Sequence, residues 1–162
     1  MAEDTVSIRR GGREDVPAIV RLLADDDLGR GREDAGEPLD TAYLDAFAAI
    51  EAQAGNQLMV ATLDGRVVGC LQLTLIAGLS RRGMLRAQVE AVRVDRHCRG
   101  RRIGELLMAH AIGHARDAGC GLVQLTTDRA RADAHRFYER LGFVPSHLGM
   151  KLQLAPTTGK AS

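Results

Sequence analysis

The 162-residue sequence has no tryptophan, and aromatic residues make up only 3% of it. So few aromatic side chains argue against a base-stacking platform for RNA or single-stranded DNA. An excess of one charge is also lacking, because 22 Lys and Arg oppose 21 Asp and Glu, for a formal net charge of +1. This balance excludes a generally basic nucleic-acid coat and an acidic disordered tail. We therefore predict no nucleic-acid partner.

Cysteine is scarce as well: the three cysteines lie far apart, and no C-x-x-C pair occurs. Neither a disulfide framework nor a zinc site is therefore predicted, and we expect no metal. No apolar run approaches the ~20 residues that span a bilayer. The acidic N-terminus has no apolar signal segment. These absences predict a reduced, cytoplasmic protein without a membrane partner.

The length predicts a single domain over residues 1–162, with the folded part at 6–154 and a loose tail at 155–162. Hydrophobic periodicity and turn residues predict, in order, a strand at 6–9, a helix after residue 14, a helix from 40 or 41, a hairpin of strands 58–63 and 67–76, a strand at 85–94, a helix at 103–118, a strand at 122–127, a helix at 132–141 and closing strands at 143–144 and 150–154. Three consecutive strands favour antiparallel pairing, and the strand–helix–strand unit that follows favours one parallel crossover. The fold class is therefore α/β (α+β): a mixed, mainly antiparallel twisted sheet with a parallel central strand pair, flanked by about four helices.

A basic, glycine-containing turn separates the strand at 85–94 from the helix at 103–118. Its residues are Arg99, Gly100, Arg101, Arg102, Ile103 and Gly104. Backbone N–H groups at a helix start, together with the helix dipole, attract anions, and the arginines add charge suited to a diphosphate. The spacing alone is equally compatible with a solvated basic turn, because glycines near helix starts are common.

Three segments, in order, resemble the GNAT superfamily of acyl-CoA-dependent N-acetyltransferases. Residues 90–104 resemble the acyl-CoA motif [RQ]-x-x-G-x-[GA] with its preceding strand, and residues 122–127 resemble the following strand. Residues 134–143 resemble the A-x-x-F-Y-x-x-x-G-F ending of that family. The resemblance spans roughly residues 6–154. One departure stands out, because Arg102 occupies the place of the motif's middle glycine.

The resemblance implies a GNAT-like fold and transfer of an acetyl group from acetyl-CoA, as co-substrate, to a primary amine without an acyl-enzyme intermediate. It implies that Val92 and Val94 supply main-chain contacts to the pantetheine arm. The turn from Arg99 to Gly104 would then hold the diphosphate. A homodimer is also expected from the family. The alternative is a non-catalytic acyl-CoA-binding sensor or regulatory domain.

Two side chains correspond to the family's proton-transfer positions. Tyr138 corresponds to the general acid, since a phenol of pKa ~10 is protonated at neutral pH and can donate to the departing thiolate. Its alternative role is that of a core aromatic. Glu90 corresponds to the base position, and a carboxylate on a buried strand needs a task or a partner. Its alternative role is a salt bridge or an anchor for the substrate ammonium.

The acceptor is predicted to be a small cationic amine or a protein amine. In the family, the loop between the first two helices borders the acceptor site, and here residues 25–40 hold seven acids against two bases. Asp25, Asp26 and Asp27 are the predicted substrate-binding residues, because clustered acids attract a cation. An ordinary solvated acidic loop is the alternative. His147 is a further candidate for the acceptor pocket, with a structural role as its alternative.

Overall fold

The computed structural model describes residues 5–155, which divide between two compact units, residues 5–125 and 126–155. The first unit contains β1 (Val6–Arg10), α1 (Val16–Ala24), α2 (Thr41–Ala52), β2 (Asn56–Leu63), β3 (Arg66–Ile76), α3 (Ser80–Gly83), β4 (Arg86–Val94), α4 (Ile103–Asp117) and β5 (Leu122–Leu125). Short 3-10 turns precede α1 (Arg13–Asp15) and follow β4 (Arg96–Cys98). The second unit contains α5 (Ala132–Arg140).

The described strands form one five-stranded sheet in the order β1-β2-β3-β4-β5. The first four strands pair antiparallel, and β4 and β5 pair parallel across the α4 crossover. The predicted fold class is therefore confirmed, and the parallel pair lies at one end of the described sheet. No helix within residues 5–155 has the length and apolar character needed to cross a bilayer.

The hairpin between β2 and β3 forms as the sequence predicts. Asp64 and Gly65 have φ of 49° and 76°, the left-handed values that a two-residue hairpin turn requires. The strands that it joins supply much of the core, since Val60, Val68 and Leu71 are completely buried. The hairpin thereby fixes the centre of the sheet on which the helices pack.

The α4 helix packs closely against β3, and this contact sets the position of its N-terminus. Leu107 and Met108 of α4 are completely buried, and Ile103 at its first position is 1% exposed. A Cβ atom added to Gly69 of β3 would lie 2.9 Å from Leu107 Cδ1 and 3.2 Å from Ile103 Cγ2. Only glycine leaves room for this approach, so the helix start is held firmly beside the end of β4.

The predicted closing strands are wrong. Residues 143–155 contain no strand. Their alternating apolar side chains are exposed by 66–88%: Leu148, Met150, Leu152 and Leu154. Alternation indicates a pleated face only where a neighbouring strand supplies hydrogen bonds, and no described strand does so here. Residues 156–162 of the predicted tail lie outside the described part of the chain.

Candidate active site

A β-bulge interrupts β4 directly after Glu90. Cys70 of β3 lies opposite Arg93 and Gln72 lies opposite Glu90, so one residue of β3 faces two residues of β4. Ala91 has φ of 55°, a left-handed conformation that costs a residue with a side chain about 1 kcal/mol. A bulge bends its strand and redirects the peptide groups beside it. The backbone is therefore reshaped next to Val92 and Val94, where the resemblance places the contacts to the pantetheine arm.

Beyond the bulge, β4 has a free edge on its β5 side. The parallel pairing ends at Val89 and Leu125, whereas β4 continues to Val94. The N–H of Asp95 donates to Val68 O of β3 at 2.8 Å, so the carbonyl of Val94 in the same peptide points away from β3. No described strand pairs with this edge over residues 90–94. An extended amide-bearing ligand could therefore bind there by strand addition.

The turn after β4 delivers a helix start next to this edge. The carboxylate of Asp95 accepts a hydrogen bond of 2.8 Å from His97 N and so caps the 3-10 turn. Gly100 and Arg102 then adopt φ of 78° and 61°, which reverse the chain into α4. No described side chain caps the α4 N-terminus. Its first amides are therefore open to an anion, which the helix dipole would favour, and the binding of a diphosphate at this turn stays a prediction.

The arginines around this helix start differ in their partners. Arg102 Nε donates to Glu105 Oε2 at 2.7 Å, and Arg96 Nη2 lies 2.8 Å from Asp25 Oδ1. Arg99 is exposed and has no side-chain partner within residues 5–155. Of the residues predicted to hold the diphosphate, Arg99 is therefore the cation best able to accept a new anionic partner.

The motif departure at Arg102 does not disturb the turn. Its φ of 61° and ψ of 15° lie in the left-handed region that glycine enters without strain. The arginine adopts the same backbone conformation, and its side chain is bonded to Glu105 on the exposed face of α4. The strain of this conformation at an arginine therefore lowers the stability of the protein but does not alter the path of the backbone.

The expectation that Glu90 is a buried carboxylate is wrong. Ala87 and Val89 face the core, and strand alternation places Glu90 on the opposite, exposed face. No side chain or backbone group within residues 5–155 bonds to its carboxylate. Glu90 is therefore available to solvent and to a ligand, and its role as a base stays a prediction.

The predicted acidic acceptor residues have partners of their own. Asp25 pairs with Arg96, and Asp26 Oδ2 lies 3.2 Å from Arg93 Nη2. Asp27 is 96% exposed at its side chain, with Arg30 at 3.9 Å. Two of the three carboxylates are therefore already neutralised by arginines that flank the bulge and the turn. Their role in acceptor binding stays a prediction.

Tyr138 and His147 belong to the second unit. The Tyr138 ring is half-buried between Phe137 and Phe143, with ring centroids 5.2 and 5.9 Å away in edge-to-face contacts. His147 is exposed, and its Nδ1 lies 2.7 Å from Ser146 Oγ. The aromatic packing fixes the orientation of the Tyr138 ring, and the catalytic role of its hydroxyl stays a prediction.

Arg93 and Asp95 were not among the site residues predicted from the sequence. Asp95 could have been found from the sequence. An Asp whose carboxylate accepts a hydrogen bond from the backbone N–H two residues later is a common feature of turns. Arg93 gives no local signal, since its partner Asp26 lies on a remote segment. No group of three or more His, Cys, Asp or Glu is arranged to hold a metal ion within residues 5–155.

Comparisons with known proteins identify the family of this chain. The profile of the acetyltransferase (GNAT) family matches residues 18–143. Aminoalkylphosphonate N-acetyltransferase of Salmonella typhimurium is 36% identical over 106 residues, which are 65% of this chain and 68% of the relative. Glucosamine 6-phosphate N-acetyltransferase of Trypanosoma brucei brucei is 29% identical over 83% of this chain and 95% of its own.

A solved structure shares this fold over most of the chain. The crystal structure of a transcriptional regulator from Bacillus halodurans C-125 superposes with a TM-score of 0.90 and 44% identity. The superposition covers 93% of this chain and all of the regulator chain. On the profile match and these relatives, the chain belongs to the acetyltransferase (GNAT) family.

Proposed function

We propose that this chain transfers the acetyl group of acetyl-CoA to a primary amine by direct attack of the amine on the thioester. The observation that carries the proposal is the free edge of β4 over residues 90–94, followed at once by the uncapped start of α4. An extended amide chain ending in a diphosphate needs these two features side by side.

The residues present fit acetyl-CoA at both ends. The carbonyls of Val92 and Val94 lie on the free edge of β4 and serve as main-chain partners for the pantetheine amides. The amides from Arg102 to Gly104 and the unpaired guanidinium of Arg99 bind the diphosphate. Electrostatic attraction there is screened by salt, so binding weakens as ionic strength rises.

Two side chains handle the protons in the proposed reaction. Glu90, exposed beside the bulge, takes a proton from the incoming ammonium and leaves a neutral amine. The amine nitrogen forms a bond to the thioester carbon, the carbon–sulfur bond breaks, and the nitrogen loses its extra proton to solvent, which leaves the neutral amide. Tyr138 gives its phenolic proton to the departing thiolate and regains a proton from solvent. Without that proton the thiolate would be a poorer leaving group.

Two observations define the acceptors to test. The acidic segment at residues 25–40 favours a small cationic amine or a protein amine. The two relatives named above act on an aminoalkylphosphonate and on glucosamine 6-phosphate, amines that also carry a phosphoryl anion. The panel therefore contains polyamines, aminoalkylphosphonates, amino-sugar phosphates and basic peptides.

The test measures thiol release from acetyl-CoA over this panel, with product mass as confirmation. We expect turnover with one class of primary amine and a mass gain of one acetyl group. The Tyr138→Phe and Glu90→Gln variants run beside the wild type and should turn over more slowly. Binding of acetyl-CoA without turnover on any amine would contradict the enzymatic proposal.

The second candidate is a non-catalytic acyl-CoA sensor. The structural relative with 44% identity is described as a transcriptional regulator, which favours this alternative. A sensor would bind acetyl-CoA at the same edge and release no thiol with any amine. The thiol-release assay therefore separates the two candidates, whereas binding alone does not.

A further inference from the structure

Two consecutive acids at the end of α1 are paired with two arginines that flank the candidate acyl-CoA site. Asp25, at the C-cap of α1, pairs with Arg96 of the 3-10 turn at 2.8 Å. Asp26 pairs with Arg93 of β4 at 3.2 Å. The Arg96 and Asp25 side chains are 55% and 26% exposed, whereas those of Arg93 and Asp26 are only 20% and 16% exposed. The second pair is therefore the better shielded from solvent and salt.

The Arg93 guanidinium also contacts the free edge of β4. Its Nη1 donates to Val92 O at 2.8 Å, while its Nη2 faces Asp26. Its Nε is buried and has no hydrogen-bond partner within the described residues. One guanidinium thus links the end of α1 to a carbonyl inside the bulge, and its position depends on these two contacts.

The peptide between Val92 and Arg93 is held from both sides. On the β3 side, Cys70 lies opposite Arg93 in the antiparallel register, and Cys70 Sγ donates to Ala91 O at 3.6 Å. Burial raises the pKa of the Cys70 thiol to about 12, so this group remains an uncharged packing element. On the other side, the Arg93 guanidinium holds the carbonyl of Val92.

We propose that Asp26 is a positioning residue for acyl-CoA, which acts through Arg93 to fix the Val92 carbonyl on the free edge of β4. This inference rests on the proposed function and gives Asp26 a different task from acceptor binding. Without the Asp26 carboxylate, a shielded guanidinium loses its counter-ion and must move toward water. The contact with Val92 is then lost, and the edge that receives the pantetheine arm loosens.

The test compares Asp26→Asn with Asp45→Asn, a matched control at an exposed carboxylate of α2 that lies outside the acidic segment at residues 25–40. Titration calorimetry gives the Kd for acetyl-CoA, and steady-state kinetics gives the KM for the amine. We expect Asp26→Asn to weaken acetyl-CoA binding about fivefold to tenfold and to leave the acceptor KM unchanged. Asp45→Asn should change neither constant, and Asp26→Glu should restore most of the affinity for acetyl-CoA.

Different results would overturn the inference about Asp26 and the proposed function on which it rests. A higher acceptor KM with unchanged acetyl-CoA affinity in Asp26→Asn would return Asp26 to acceptor binding and overturn the inference. If Asp26→Asn does not fold, Arg93→Lys replaces it in the test. The lysine keeps the positive charge but lacks the second nitrogen that reaches Val92. Unchanged acetyl-CoA affinity in Arg93→Lys would also overturn the inference. Failure of the wild type to bind acetyl-CoA would instead reject the proposed function.

Discussion

Arg9 of β1 holds the buried carboxylate of Asp15 through two hydrogen bonds, from Nη1 to Oδ2 at 2.7 Å and from Nη2 to Oδ1 at 2.8 Å. The amide of Gly12 adds a third, at 2.8 Å to Oδ2. These bonds join β1 to the turn before α1. The hydrogen bonds from Arg9 keep the pKa of Asp15 below its ordinary value of 3.8, although burial opposes them.

This arrangement predicts a loss of stability in acid. A carboxyl group with a lowered folded-state pKa contributes its full stability above pH 3.8 and loses it as the pH falls toward the folded-state pKa. Asp15→Asn should lower the free energy of unfolding at pH 7 by about 2 kcal/mol and flatten its dependence on pH below 4. Denaturant titrations across that range measure both effects. Asp45→Asn, on the exposed face of α2, is the control and should change neither.

Replacing Arg102 with glycine is expected to increase the stability of the protein. Glycine has no strain at the φ of 61° found there, whereas arginine does. Arg102→Gly should therefore raise the free energy of unfolding by about 0.5 kcal/mol, after loss of the exposed contact with Glu105. Arg99→Gly, at a φ of −63°, should lower it by a similar amount. Thermal denaturation without ligand checks both, and a lower Tm for Arg102→Gly would contradict the strain at this position.

Two Gly→Ala substitutions should change stability in opposite directions. At Gly69 a new methyl group would meet Leu107 and Ile103 in the contact between β3 and α4. We expect Gly69→Ala to cost about 2 kcal/mol and to weaken acetyl-CoA binding, because the start of α4 shifts. At Gly113, inside α4, a Cβ atom has open space. Gly113→Ala should therefore stabilise the protein by up to about 1 kcal/mol, and denaturant unfolding of both variants measures the difference.

Tyr138→Phe is expected to separate chemistry from binding. The phenyl ring keeps the contacts with Phe137 and Phe143 but has no proton for the thiolate. Loss of a general acid should lower kcat about 100-fold or more, with acetyl-CoA affinity unchanged. Rapid-mixing kinetics with a thiol reagent measures the rate of thiol release. A kcat equal to that of the wild type would assign Tyr138 to packing alone.

The sequence correctly predicted the turns whose conformation depends only on neighbouring residues. The hairpin turn at Asp64 and Gly65 and the glycine-containing approach to α4 both lie where the sequence indicated. The exposed face of Glu90 was missed, because the register of β4 decides which face is buried. The alternating apolar residues at 148–154 predicted a strand, but hydrogen bonds between strands come from distant parts of a chain.

The sequence predicted the turn and the helix start of the candidate site, but it did not predict the ion pairs that lie beside them. The basic turn and helix start follow from residues adjacent in sequence, so the motif alone located them. The Asp26–Arg93 and Asp25–Arg96 pairs join segments that only the fold brings together. Sequence reasoning therefore treated these acids as surface charge for an acceptor. The expected homodimer stays a prediction, which sedimentation can check.

Hydrogen exchange with and without acetyl-CoA tests most directly the placement of the acyl-CoA site on β4 and α4. We expect slower exchange in peptides that cover residues 90–104, where the free edge and the uncapped helix start lie. Peptides from β2, whose residues already pair on both sides, should not change. Protection confined to other segments, or no protection at a concentration of acetyl-CoA that saturates the protein, would contradict it.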